Sequence, residues 1–244
     1  MQHPPDGRLA RLTATAVGRA AALSAMVGAD EVSAVLYRAG GTAVEPGQDP
    51  RLPRLLCDRA EAGVRAELRQ YDRSRSEHWD GWTVAGADAD DLVHKIYVSP
   101  TVAALPAALP IVFAVAVDLT VPSWKVGADG AGIHRADKIV LYLPTSEEAD
   151  EAAGVLAAAL ADLPAQGVPF TGQVGRSGIV SRGQDFGRQS WRAAVCTSVG
   201  RALLARRASL GPQAPAAQVA AEALDGLAAD IDVVTWWPGQ RVPA

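Results

Sequence analysis

Residues 122–144, PSWKVGADGAGIHRADKIVLYLP, decide how this sequence folds. The second half, KIVLYL at 138–143, is a short apolar run rich in β-branched and aromatic side chains, and it reads as a strand. Lys138 and Tyr142 lie an even number of residues apart and so share one face of it. Pro144 closes the run. Thr145 or Ser146 then caps a helix predicted to reach residue 163, with Glu147 and Glu148 at the positive end of its dipole.

Upstream, Trp82, Thr83 and Val84 start a strand, 92–98 alternates as another, and the apolar run 110–119 reads as a buried third. Before them come predicted helices at 9–27 and 31–37, the second stopped by Gly40 and Gly41. A loop at 41–53, an amphipathic helix at 55–71 and a polar turn at 72–81 (DRSRSEHWDG) follow. Downstream, the Gly-rich stretch 170–180 carries a short strand. Helices are predicted at 190–207 and 216–229, with a linker at 210–215, and Trp236 and Trp237 are read as core anchors. Helices followed by a mainly antiparallel sheet with covering helices make an α+β fold. The expected division is an N-terminal helical region at 1–80 and an α+β region at 81–244, in one continuous compact unit.

With 244 residues, 49% of them hydrophobic, the chain is long enough for a sizeable core. A net charge of −4 supplies no global basic field for nucleic acid or an anionic membrane, so any phosphate affinity must come from local clusters. The start, MQHPPDGRLARL, has no apolar signal core. The longest apolar stretch, 102–117, is shorter than the roughly 20 residues of a spanning helix, and Pro106 and Pro110 at that spacing break a helix. A cytoplasmic protein is expected. Cys57 and Cys196, both in predicted helices, read as reduced core thiols. Four scattered histidines and two isolated cysteines offer no zinc spacing, no phosphate-binding Gly loop precedes a helix, and no cofactor is implied.

Three segments concentrate polar chemistry: HKIYVSP at 94–100, the 122–144 stretch, and PFTGQVGRSGIVSRGQDFGRQSWR at 169–192. On a strand, Lys95 and Tyr97 face one way and His94 the other. Arg135, in the sequence Arg135-Ala136-Asp137-Lys138, has the fork geometry that clamps a phosphate. Asp137 reads as its orienting partner or as half of a surface salt bridge. Arg176, Arg182, Arg188 and Arg192 cluster among glycines, and one of them is expected to be solvated surface. Each residue also has a plainer reading. Lys125 can rest its stem on Trp124 with its head in water, and Tyr97 can be an ordinary strand aromatic.

Together these segments resemble the HopA-type type III effector family and its relatives in class V lanthipeptide and thioamitide pathways. Those relatives are similar in turn to the phosphothreonine lyases of the OspF/SpvC type. The resemblance covers roughly the C-terminal two-thirds through short, diffuse motifs. It implies a metal-independent lyase that removes phosphate from phosphothreonine or phosphoserine in a peptide, leaving dehydrobutyrine or dehydroalanine. Such an enzyme acts after a separate peptide kinase and, in such pathways, before a cyclase. Elimination needs a base for the Cα proton, cations for the leaving phosphate and an acid for its bridging oxygen.

By this resemblance Lys125, in its Trp124-Lys125-Val126 context, is the base. Lys95, Arg135, Arg182 and Arg188 hold phosphate, with Tyr142 within reach of the site. The family places a histidine acid where this chain has Tyr97. The acid is therefore Tyr97, His94 or His134, or the phosphate leaves unaided. The absent histidine leaves a second reading open, a non-catalytic effector-like protein that binds peptides with the same fold.

Overall fold

A computed structural model describes residues 7–88, 90–186, 189–228 and 231–236. Two N-terminal helices, α1 (Arg8–Leu23) and α2 (Ala29–Arg38), precede α3 (Leu52–Ala62). A hairpin of β1 (Tyr71–Arg75) and β2 (Trp79–Val84) leads to β3 (His94–Val98), α4 (Leu105–Asp118) and β4 (Ser123–Gly127). Then come the short α5 (Gly130–His134), β5 (Ile139–Leu143), α6 (Ser146–Ala159), β6 (Gly172–Val174) and β7 (Val180–Gln184). Helices α7 (Trp191–Leu210) and α8 (Ala216–Leu227) close the described chain. The strands form one sheet in the order β1-β2-β4-β5-β3-β7-β6, and every pairing is antiparallel. This is the α+β architecture expected from the order of elements.

Several elements differ from the sequence reading. The apolar run expected as a third strand is α4, a helix hydrophobic on all sides and buried against the sheet. Uniform apolarity carries no period, so it does not separate a buried strand from a buried helix. Nor do the prolines break this helix. Pro106 occupies the first turn, where its missing N–H has no intrahelical partner, and Pro110 removes one bond close to the start. The predicted helix at 55–71 ends at Ala62, and its last residue, Tyr71, opens β1. Part of the polar segment 72–81 is itself strand, turned by Ser76, whose N–H donates to the Trp79 carbonyl (2.8 Å). Neither β4 nor β7 was expected as a strand. Thr145 caps α6 as predicted, its Oγ1 accepting from the Glu148 N–H (3.2 Å).

The two faces of the sheet differ in kind. Trp82, Trp124, Val126, Leu141, Ile96 and Val180 point into a core shared with α3, α4 and α6. A second core joins α1 and α2 to α7 and α8, with Phe170 against Trp236 (ring centroids 5.2 Å apart). Trp237, read as a second anchor, lies outside the described residues. Trp124 is the centre of the first core: it stacks on Trp82 at 5.8 Å and meets Tyr71 edge-on at 4.7 Å and Phe113 at 5.9 Å. Truncating a buried Trp typically costs about 3–5 kcal/mol. Trp124→Ala is therefore expected to lower the urea midpoint by that equivalent with an unchanged denaturant slope, and a loss below about 1 kcal/mol contradicts its central place.

Candidate active site

The face opposite Trp124 carries the polar residues. In register, Lys125 pairs with Val140 and Val140 with Tyr97, while Tyr142 pairs with both Ser123 and Lys95. Side chains alternate along each strand, so Lys125, Tyr142, Lys95 and Tyr97 share this face. The Lys125 ammonium lies 4.4 Å from the Trp79 ring centre and 5.4 Å from that of Tyr142, and Lys95 lies 5.0 Å from the Tyr142 ring. Two lysines thus bracket one tyrosine ring. Lys95 is buried and ion-paired with Asp185, whose other oxygen accepts from the Trp191 N–H (2.8 Å) at the start of α7.

Beside the lysines, Asp137 gathers two arginines. Its Oδ1 accepts from Arg135 Nε (2.8 Å). Its Oδ2 accepts from Arg135 Nη2 (3.0 Å) and the Tyr37 hydroxyl (3.3 Å) and is ion-paired with Arg192 Nη1 (2.9 Å). Tyr37, reaching in from α2, lies 4.7 Å beneath the Arg192 guanidinium and 5.8 Å from that of Arg135. Arg135 is also 5.3 Å from the Trp79 ring, so Trp79 is common to Arg135 and Lys125. Gly127 allows α5, which carries the chain to Arg135, to approach: a Cβ there would stand 2.5 Å from the Gly132 carbonyl carbon.

Electrostatics follow from this packing. Burial works against the Asp137 carboxylate, but Arg192 and Arg135 outweigh it and bring its pKa down to about 2. Burial, then the charge of Lys95, lowers the Lys125 pKa. Burial raises the hydroxyls of Tyr142 and Tyr97, the latter well above its usual value, and the Tyr97 hydroxyl is enclosed with no hydrogen-bond partner among the described residues. Lys138 shares the strand face with Tyr142 but is fully enclosed, donating to the Pro100 carbonyl (2.9 Å) and to Gln166, and burial brings its pKa to about 7. Gln166 in turn donates to the Gly40 carbonyl (2.7 Å) and the His134 carbonyl (3.1 Å), tying the end of α2 to the base of the site.

Lys125, Lys95, Tyr97, Arg135 and Tyr142 are thus brought together, and three expected residues are not. Arg182 pairs with Ile96, which points into the helix-covered core, and it is held by Asp150 and Ser146 of α6 on that opposite face. Its expected place among the phosphate ligands is corrected accordingly. His94 shares that far face, as strand alternation predicts. His134 has both ring nitrogens engaged, Nδ1 with Thr42 Oγ1 (2.7 Å) and Nε2 with Gln48 Oε1 (2.8 Å). Arg188 lies outside the described residues, and Arg176 is exposed beyond β6. The sequence reading missed Trp79, Asp185 and Tyr37. Alternation along β2 would have found Trp79, whereas Tyr37 stands 100 residues from its partner Asp137. No group of three or more metal-binding side chains occurs among the described residues, nor any helix long and apolar enough to cross a membrane.

No family model and no curated protein matches the sequence. Solved structures do match. The effector protein from Pseudomonas syringae pv. tomato strain DC3000 aligns over 95% of this chain and 98% of its own, with a TM-score of 0.54 and 9% identity. An effector protein from Pseudomonas syringae pv. syringae strain 61 aligns over 96% and 100% (0.49, 13% identity). The type III effector/phosphothreonine lyase OspF from Shigella flexneri aligns over 63% and 89% (0.42, 12% identity). The chain shares the fold of the first of these effectors over 95% of its length.

The lowered Lys125 pKa is open to direct measurement. Titrated by ¹³Cε NMR, Lys125 is expected to lose its proton below the usual lysine value. Lys95→Met removes a like charge and should move the midpoint upward. A downward shift, or none, contradicts the coupling of the two lysines.

Proposed function

We propose that this chain is a phosphothreonine/phosphoserine lyase acting on a phosphorylated peptide. The observation that supports it most is Lys125, its pKa lowered by burial and by Lys95, on one sheet face with Lys95, Arg135 and Tyr97. Neutral Lys125 takes the Cα proton of the phosphorylated residue. The electron pair left on Cα forms the Cα=Cβ bond, the Cβ–O bond breaks, and phosphate departs with that bonding pair. Lys95 and Arg135 hold the phosphate oxygens, where preorganised cations stabilise the charge that develops. Asp137 and Asp185 keep those cations in place.

Tyr97 gives the proton to the bridging oxygen. Its hydroxyl is enclosed without a partner among the described residues, a costly state for a buried polar group, and a phosphate oxygen would relieve it. The substrate must come from a separate kinase. In the natural-product setting that the sequence resemblance implies, it is a precursor peptide whose dehydrated residues a cyclase then uses. One observation favours the second reading, a peptide-binding protein without catalysis: burial raises the Tyr97 pKa, which makes it a reluctant acid.

Mass spectrometry of a phosphothreonine peptide separates the outcomes. Elimination removes the elements of phosphoric acid and leaves an alkene, whereas hydrolysis restores the hydroxyl. Lys125→Ala is expected to lose about 10²–10⁴-fold in turnover while keeping phosphopeptide affinity, and a variant retaining a tenth of the rate refutes the base assignment. Tyr97→Phe removes only the hydroxyl. It should slow turnover strongly with little change in binding, and wild-type rates would remove Tyr97 from the chemistry.

A further inference from the structure

Two hollows lead away from the lysine–arginine cluster across the N-terminal helices. The first lies against Arg135 and Asp137 and is walled by Tyr37, Thr42, Val44 and Ala136. The second is walled by Ala16, Val35 and Ala39, with Arg19 at its edge. The hollows adjoin at Arg38 and Gly41, which line both, so Arg38 stands between the hollow that holds Arg135 and the one that holds Arg19; together they are treated as one track.

The charge along this track is one-sided. Asp137 is the only acidic side chain lining it among the described residues, and both its oxygens are taken by Arg135 and Arg192. The ring of His134 is occupied by Thr42 and Gln48. Arg19 and Arg38 are exposed and form no ion pair among the described residues, although the whole chain carries a net charge of −4. A basic track walled otherwise by apolar and neutral polar groups, on an acidic protein, is complementary to an extended acidic segment. It opens beside Arg135, one of the two residues proposed to hold the phosphate, so the segment that fills it adjoins the phosphorylated residue.

We infer that this track is a docking site for acidic residues on one side of the phosphorylated residue in the peptide substrate, read by Arg38 and Arg19. The inference rests on the lyase reading for its choice of occupant. Backbone and small side chains lie along the apolar walls, and carboxylates meet the two guanidiniums.

The test uses fluorescein-labelled phosphothreonine peptides carrying glutamates on the N-terminal side, glutamates on the C-terminal side, or glutamines on both. Binding is read by anisotropy and elimination by mass spectrometry. Wild-type protein is expected to prefer one of the two glutamate peptides over the glutamine peptide by about fivefold, the scale of two exposed ion pairs, and the preference should shrink with salt. Arg19→Glu/Arg38→Glu should abolish it and favour a lysine-flanked peptide, and Arg19→Gln/Arg38→Gln should simply remove it. Equal affinity for all peptides, equal gains from glutamates on both sides, or a preference that survives charge reversal overturns the docking site. Elimination of the glutamine peptide without any preference leaves the lyase reading standing alone. A preference lost in the variants, with no elimination from any peptide, leaves the docking site standing and refutes the lyase reading.

Discussion

The site depends on the two-residue period of β4, β5 and β3. Within β4, Trp124 points into a cluster of aromatic rings and Lys125, one position on, points the opposite way. A slip of one residue would put the lysine into that cluster and the indole among cations. Burying an unpaired ammonium costs far more than burying an indole gains, so the register admits no slip. The hydrophobic face therefore sets the chemical face. Lys125, Tyr142, Lys95 and Tyr97 are aligned because Trp124, Leu141, Ile96 and Val98 are buried behind them.

What the sequence made legible follows the same rule. KIVLYL is short, β-branched and closed by Pro144, and HKIYV alternates, so their strands and the facing of Lys95, Tyr97 and His94 could be read. The 105–118 segment is apolar at nearly every position and has no period, and only tertiary packing makes it a helix. Arg182 was misplaced because residues 180–184 were not recognised as a strand. Without the pairing of Arg182 to Ile96 nothing tied its direction to a face. Tyr37 could not have been found at all, because the helix that carries it meets Asp137 only in the folded chain.

The N-terminal helices are consequently more than an appendage. They share a core with α7 and α8, they deliver Tyr37 between two guanidiniums, and Gln166 fastens their end at Gly40 to the strand that carries Tyr142. Arg192 closes the circuit from the other side: it is buried in α7, donates to the Tyr37 carbonyl (2.7 Å) and pairs with Asp137. A buried carboxylate persists when cations and donors offset its lost hydration, and Asp137 is met by two guanidiniums and a phenol.

The balance of charge in this cluster bears on how a lysine there can act as a base. Lys95, Arg135 and Arg192 face Asp137 and Asp185, so with Lys125 neutral the cluster keeps a small positive surplus. Burial, then Lys95 and Arg135, lower the Lys125 pKa against the opposing pull of Asp137 and Asp185. A phosphate monoester brings about −1.5 to −2 charges at neutral pH, and its arrival favours the protonated lysine again. In the proposed reaction the substrate would thus work against its own base unless its charge is taken up elsewhere. Lys95 and Arg135 therefore have two jobs in the proposed reaction. They hold the leaving group, and by neutralising it they preserve the field that keeps Lys125 able to accept a proton. Replacing either should slow elimination by more than the loss of phosphate affinity alone explains, because the base weakens together with the binding.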